Sequence, residues 1–545
     1  MHAIRGAVPA ARLVQTEDLG KTHSTPALAY QAELENERRW LSFDLLCGSV
    51  VRGHPMWRWL VETAGVDPHD LEWFAENTCP PSVVGVNHYL SSERFLDERL
   101  ERYPAESHGG NGEDEYADVL AARVLGPGPD GPRAILADAW GRYGLPVAVT
   151  ELHNGCTREE QLRWVAEVWD AAASLRSEGA DIVAVTLWSL LGAVGWDDLV
   201  RGGGTYEPGV FDARSSPPRP TALAVMARGL ADGGYEHPVL DAPGWWRRPE
   251  RLWYEPLGEV APAESNGASP LAITGATGTL GQAFARVCEL RGLPYALLRR
   301  DEMDIADADS VERALEGHRP WAIVNAAGYV RVDEAERDHD RCRRENSDGP
   351  ATLAAAAERN GLQLLTFSSD LVFDGAQDEA YVEVDPVRPL NVYGKTKADG
   401  EVRALFACSR ALVVRTSAFF GPWDAYNFVT IALGELRAGR RFSALDDTVV
   451  SPTYVPDLVN ASLDLLIDGE AGLWHVANAG AITWFELARE AAQRADLDPN
   501  DVVACTRRSL RLAADRPAQS ALRSIRGSVL PPLADALDRY HLEPV

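Results

Sequence analysis

The chain has 545 residues, 46% of them apolar, and a formal net charge of -28. That length requires two or more hydrophobic cores, and the charge excludes nucleic acid as a partner, since no basic patch interrupts it. Seven cysteines, at 47, 79, 156, 288, 342, 408 and 505, are odd in number and never spaced C-x-x-C, which excludes a disulfide framework or a structural zinc site and fits a reducing cytoplasm.

The opening MHAIRGAVPAARLVQTEDLG lacks the long apolar region of a signal peptide, and no apolar run approaches the roughly 18 residues needed to cross a bilayer. Four strand-like runs follow, RLVQTED, VVGVNHY, PVAVTELHNG and DIVAVTLWSLL, separated by helical patterns such as REEQLRWVAEVWDAAASLR. This is the alternation of a partial (β/α) barrel, whose chemistry collects at the C-terminal ends of its strands. Residues 257–270, LGEVAPAESNGASP, have no apolar periodicity and are rich in Pro, Gly, Ser and Ala. They read as a linker between a domain at 1–256 and one at 271–545.

The second domain opens with LAIT, a buried-strand run that leads directly into Gly275, Gly278 and Gly281 and then a helix with Leu280, Phe284, Val287 and Leu290 on its apolar face. Strand, glycine turn and helix come in the order of a dinucleotide-binding unit. Glycine lets the backbone approach a pyrophosphate, and the free N–H groups at the helix start favour an anion. Further strand-like runs at 295–298, 322–325, 362–367 and 411–414 alternate with helices, the pattern of a Rossmann-type doubly wound parallel sheet. Arg299 lies eighteen residues after Gly281, at the end of the second strand. An arginine there suits the 2'-phosphate of NADPH, and an acid would suit NADH; Asp301 stands close by.

Of 53 basic residues only Lys21, Lys395 and Lys397 are lysine, and two of these fall in VYGKTKADGE, residues 392–401. Lys397 follows Tyr393 by four positions, so the two share a helix face. The pair is either a solvated surface feature or chemistry: arginine stays protonated, whereas lysine is a compact charge that can sit beside a phenol and tune it.

Several motifs, taken together, resemble the dTDP-4-dehydrorhamnose reductase family of extended short-chain dehydrogenase/reductases. They are GATGTLG from Gly275, DIAD from Asp304, VNAAGYVRVDEAE from Val324, SSDLVFDG from Ser368, PLNVYGKTKADGE from Pro389, RTS from Arg415, SPTYVPDL from Ser451 and ADRPAQSAL from Ala514. The resemblance implies a small C-terminal substrate-binding part and NADPH-dependent reduction of the 4-keto group of a nucleotide 4-keto-6-deoxysugar, dTDP-4-dehydro-L-rhamnose. It implies Tyr393 as proton donor, Ser369 as a second hydrogen-bonding group and Lys397 as the residue that holds the nicotinamide ribose and lowers the tyrosine pKa. A cation about 4 Å from the phenol at an effective dielectric of about 20 is worth roughly 4 kcal/mol. The same resemblance places Gly278, Thr279 and Leu280 at the pyrophosphate, Asp304 and Ile305 at the adenine, and Ala326, Ala327 and Gly328 along the middle of the cofactor. Asp370, Asn427 and Arg516 are its candidates for the sugar nucleotide, Arg516 suiting a diphosphate. The family commonly has tryptophan after RTS, and this chain has Ala418.

The N-terminal runs resemble the later part of a family 1 glycoside hydrolase. By that resemblance Glu151 takes the nucleophile position, with Asn87 and Tyr89 as its neighbours and Trp188 as a sugar platform. Retaining hydrolysis needs a second carboxyl group about 5 to 5.5 Å from the first, and the NEP motif that supplies it in the family is missing from the sequence. Glu17 is a weak substitute, and the family's sugar-reading acid falls on Gly195. The expectation is half a barrel that has lost hydrolysis, or a coding sequence read from a late start; its tryptophans, Trp245 and Trp246 among them, form either a carbohydrate-binding surface or, for most of them, core packing, and open strand edges favour homo-oligomers. Two other readings stand beside the reductase: a retaining β-glycosidase, and a non-catalytic sugar-nucleotide-binding protein.

Overall fold

A computed structural model describes residues 1–195, 206–261, 267–510 and 512–542. The chain forms two compact units. The first is Met1–Gly192 with Met226–Tyr235 and Pro243–Asn266, and the second is Ala193–Val225 with Glu236–Ala242 and Gly267–Val545. The division therefore does not fall at 257–270 alone, and of that stretch residues 262–266 lie outside the described ones. Two segments ahead of it, Ala193–Val225 and Glu236–Ala242, belong to the second unit, and the first of them is held there by ion pairs and hydrogen bonds. Arg219 meets Asp468 at 2.9 Å and Glu470 at 3.2 Å, the Asp468 carboxylate also accepts from the Ala222 amide at 2.7 Å, and Arg214 donates to the Val529 carbonyl at 2.8 Å.

In the first unit the four expected runs form strands β1 (Val14–Asp18), β2 (Val83–His88), β3 (Val147–Leu152) and β4 (Ile182–Leu187). They lie parallel and side by side in chain order. Helix α1 (Gly131–Tyr143) leads into β3 and α2 (Arg158–Ser177) into β4. The α2 face that carries Leu162, Trp164, Val165 and Val168 is buried, with Trp164 edge-on to the buried Trp246. At the end of this sheet β4 leaves Val183 44% exposed, unusual for a parallel strand, which is ordinarily covered on both faces.

The second unit is built on six parallel strands: β5 (Leu271–Thr274), β6 (Tyr295–Leu298), β7 (Ala322–Asn325), β8 (Gln363–Ser369), β9 (Ala411–Thr416) and β10 (Gly472–His475). Their spatial order is β6-β5-β7-β8-β9-β10. The order reverses between β5 and β7, and open sheets of this kind bind ligands beyond the strand ends at that reversal. Helix α3 (Thr279–Arg291) buries Phe284 and Val287 as expected, but Leu290 is 79% exposed and Cys288 is buried in its place. Leu290 lies on the side of the helix turned away from the sheet. Among the described residues no helix is long and apolar enough to cross a membrane, and all seven cysteines are free.

Candidate active site

The glycine turn follows β5. Gly275 has φ of 81°, and a Cβ there would stand 2.7 Å from the Ala326 carbonyl and 2.9 Å from the Ala327 amide nitrogen. Only glycine fits, because the turn after β5 runs directly against the turn after β7. Gly278 is the N-cap of α3 and, having no side chain, leaves the amides of the first turn uncapped. The cradle therefore suits a dinucleotide diphosphate. Around it the Thr279 hydroxyl donates to Asp424 at 3.1 Å, and Leu280 is buried. Gly328 faces the buried Asn346, whose amide bonds both the N–H and the carbonyl of Tyr329 and so fixes the turn after β7.

The two residues expected at the adenine end separate. Ile305 packs into the core and fills the space against Gly349. Asp304 stays at the surface, paired with Arg344 at 2.9 Å and Arg300 at 3.5 Å. Burial opposes its ionisation, but hydrogen bonds from Arg344 and the Ala306 amide hold its carboxyl below the ordinary range. Arg299 is exposed and bonds Glu302 through its backbone N–H.

Helix α4 (Val392–Ala407) carries Tyr393 and Lys397. Asn391 caps it by accepting from the Gly394 amide at 2.7 Å. A Cβ on Gly394 would collide with the Leu371 carbonyl, so glycine lets the first turn lie against the segment just after β8. That approach brings Tyr393 to Ser369, the last residue of β8. Ser369 Oγ donates to Asp370 at 3.0 Å and lies close enough to the Tyr393 phenol to pull its pKa down in part. Asp370 is buried and accepts from Ser417 at 2.7 Å and Ser520 at 2.6 Å as well. Burial raises its pKa against the pull of these hydroxyls.

Lys397 donates to the Phe367 carbonyl at 3.1 Å, and its Nζ lies 5.8 Å from the centre of the Tyr393 ring. The expected acidification of the phenol does not occur. Burial, followed by the charge of Asp370, pushes Tyr393 well above its ordinary value, and the Ser369 hydroxyl only partly offsets this. Burial likewise pushes Lys397 down to about 8. Desolvation of both groups outweighs their attraction at this separation.

A cavity of about 470 Å³ adjoins these groups, with Ser369, Asp370, Tyr393 and Arg516 all on its wall. Arg516 holds Asp333 in a two-pronged ion pair, at 2.8 and 2.7 Å. Asn427 does not reach the cavity. It caps helix α5 (Phe428–Arg437), accepting from the Thr430 amide and donating to the Gly421 and Asp424 carbonyls. Its amide is used up within its own loop, so the substrate role expected of it is corrected to a structural one. Ala418 does line the cavity, at a φ of 41° that is rare for a residue with a side chain.

A family profile described as the RmlD substrate binding domain matches residues 269–528. The "Probable dTDP-4,6-dihydroxy-2-methyloxan-3-one 4-ketoreductase" of Streptomyces antibioticus is 35% identical over 269 residues, 48% of this chain and 90% of that protein. The dTDP-4-dehydrorhamnose reductase of Mycolicibacterium smegmatis is 34% identical over 300 residues, 54% of this chain and 90% of that one. This chain belongs to the dTDP-4-dehydrorhamnose reductase family. Among solved structures, the dTDP-4-dehydrorhamnose reductase of Bacillus anthracis in complex with NADP aligns at 29% identity and a TM-score of 0.48, over 51% of this chain and 99% of that one.

In this member of the reductase family, sequence reasoning left several residues of the cavity and of the turn after β7 unassigned. Ser417 and Ser520 sit inside the quoted RTS and ADRPAQSAL motifs, so the hydroxyls that hold Asp370 were in view without a role. Asn346 and Trp484 lie in stretches with no such signal. In the first unit Glu151, Asn87, Tyr89 and Trp188 all fall at or just beyond the C-terminal ends of neighbouring strands. The Tyr89 hydroxyl donates to Glu151, and Asn87 accepts from Thr16 at 2.7 Å and Thr150 at 2.8 Å. Trp188 stacks edge-on with His153, and Glu17 accepts from Gln15 at 2.8 Å. Among the described residues His23, Glu93 and Asp130 also converge within 4.8 Å, but Lys21 pairs with Asp130 at 2.5 Å and supplies a cation of its own.

Proposed function

We propose that the second unit is an NADPH-dependent reductase acting on the 4-keto group of a nucleotide-linked 6-deoxysugar, with dTDP-4-dehydro-L-rhamnose as substrate and dTDP-L-rhamnose as product. The observation that carries this is the meeting of Ser369 and Tyr393 at one wall of a cavity that also holds Asp370 and Arg516. The named activities of the two curated relatives, both acting on dTDP-linked sugars, point the same way.

A bound reduced nicotinamide would supply the hydride. The residues that would hold it are Gly275 and Gly278 with the α3 amides at the diphosphate, Gly328 along its middle, and Lys397 at the ribose. Arg299, whose guanidinium is exposed and has no acid partner among the described residues, favours the 2'-phosphate of NADPH over NADH. On the substrate, Ser369 and Tyr393 bind the keto oxygen, and Tyr393 gives it a proton as the carbonyl carbon is reduced. A phenol held above its ordinary pKa keeps that proton at neutral pH and is well matched to the strongly basic alkoxide forming on the sugar. Lys397 stays mostly cationic near pH 7. Tyr393→Phe should abolish NADPH oxidation with the keto sugar while nucleotide binding persists; turnover at the parent rate would refute the assignment.

For the first unit the strand order and the placement of Glu151, Tyr89 and Trp188 support a segment of a (β/α) barrel with a carbohydrate-facing end.

A further inference from the structure

We propose that Trp484 is the stacking face for the pyrimidine base of the nucleotide sugar, and that the free edge of the strand Phe442–Leu445 lies along that base. The inference rests on reading the cavity as a nucleotide-sugar site. The cavity has two different walls. One is the reacting side, built from the ends of β8 and β9 and the start of α4. The other comes from segments outside the six-stranded sheet, among them Phe428, Ser443 to Leu445, Thr448 and Trp484. A keto group held at Ser369 and Tyr393 leaves the distal part of the ligand, beyond the diphosphate, to this second wall.

Trp484 is rigidly placed there. It is the first residue of helix α6 (Trp484–Arg494), whose start is locked by a capping box: Thr483 Oγ1 accepts from the Glu486 amide at 3.1 Å, and Glu486 accepts from the Thr483 amide at 3.0 Å. Ile482–Thr483 pairs with Val449–Val450, which fixes the approach of the chain. Phe428, on the same wall, packs against the indole with ring centres 4.6 Å apart, and Phe442 packs against Phe428 in turn at 5.4 Å. A half-buried indole braced by a neighbouring ring and bordering the cavity is a platform for a planar group.

Polar readers stand on the same wall. The strand Phe442–Leu445 pairs with Val502–Cys505 on one edge, and among the described residues no strand covers the other. Ser443, Ala444 and Leu445 line the cavity, so the unpaired edge can offer backbone N–H and C=O groups to a base imide. Thr448 is 3% exposed, and its hydroxyl has no hydrogen-bond partner among the described residues although it lines the cavity. An unpaired buried hydroxyl lowers stability, and a ligand with an N–H or a carbonyl at that point would satisfy it.

The test is calorimetric titration of the full chain with dTDP and, separately, with inorganic pyrophosphate, which has no base. Trp484→Ala should weaken dTDP about 10- to 100-fold, as loss of one base stack does, and leave pyrophosphate unchanged. Trp484→Leu keeps apolar volume but loses the planar face, so it should show the same loss in a folded protein, and Trp484→Phe should retain most of the affinity. Thr448→Val should weaken dTDP several-fold while leaving the melting temperature equal or higher, the opposite of what a purely structural hydroxyl would do. Unchanged dTDP affinity in Trp484→Leu, with only the KM for the keto sugar raised, would place the indole at the sugar and overturn the proposal alone. A parent chain that binds NADPH but neither dTDP nor the keto sugar would overturn the underlying reading as well.

Discussion

Lys397 allows a prediction that separates its charge from its packing. Its pKa falls from an ordinary 10.5 to about 8 because the ammonium is desolvated. Over the interval between those values the unfolded chain still binds the proton that the folded chain has released, so this residue makes stability rise with pH. Integrating that difference from about pH 7 to about pH 9.5 gives roughly 2 kcal/mol; solvent around the half-buried side chain screens it, and about 1 kcal/mol is expected. Other groups titrate over the same range, so the measurement is a double difference: urea unfolding of the parent and of Lys397→Met at both pH values. The parent should gain about 1 kcal/mol more than the variant. In parallel, kcat/KM of the parent for NADPH should decline as pH passes about 8, where the cation beside the ribose is lost. A stability difference between the two proteins that stays constant with pH would show that Lys397 titrates normally and refute the argument from burial.

Two further predictions rest on other parts of the chain. A Cβ on Gly281 would collide with the Gly275 carbonyl, so Gly281→Ala should distort the diphosphate cradle and raise the NADPH dissociation constant by more than about 10-fold, a cost above 1.4 kcal/mol, measured by fluorescence titration of the reduced cofactor. In the first unit Glu151→Gln should leave NADPH-dependent reduction unaltered, and the parent should release no nitrophenol from aryl glycosides. Release that disappears in Glu151→Gln would restore hydrolysis to this unit.

Where local pattern sets structure, the sequence was sufficient. Strands β6 and β7 begin and end where their apolar runs do, and the glycine turn is dictated by contacts a side chain would block. The four runs of the first half also became strands. What could not be read depended on contacts distant in sequence. Strand β10, Gly472 to His475, is as long as β6 and β7, but its Gly-Leu-Trp-His lacks their continuous apolar run, and it is fixed by pairing with β9. Asn427 and Arg516 both looked like polar groups for a ligand, but Asn427 is consumed by a helix cap, and Arg516 reaches the cavity already paired with Asp333. The Tyr393–Lys397 spacing correctly put both residues on one helix face, but the sign of the phenol's pKa shift was set by burial and by Asp370, neither of which follows from a four-residue interval. The division of the chain was obscured for the same reason, since Arg219 and Ala222 reach Asp468 across almost 250 positions.

The charge of the chain shapes how such a site must work. Both proposed ligands are polyanions, and the net charge of -28 repels them on close approach, within about a Debye length, roughly 8 Å at physiological salt, beyond which salt screens it. Recognition therefore falls to short-range donors: the α3 amides, Lys397 and Arg516. Even Arg516 is neutralised by Asp333, whose carboxyl this same guanidinium holds below its ordinary range. A diphosphate must then compete with a two-pronged carboxylate for that arginine. Binding energy would come from exchanging one anion for another and from apolar and stacking contacts on the far wall, which gives an aromatic platform more weight here than it would have in a site with unpaired cations.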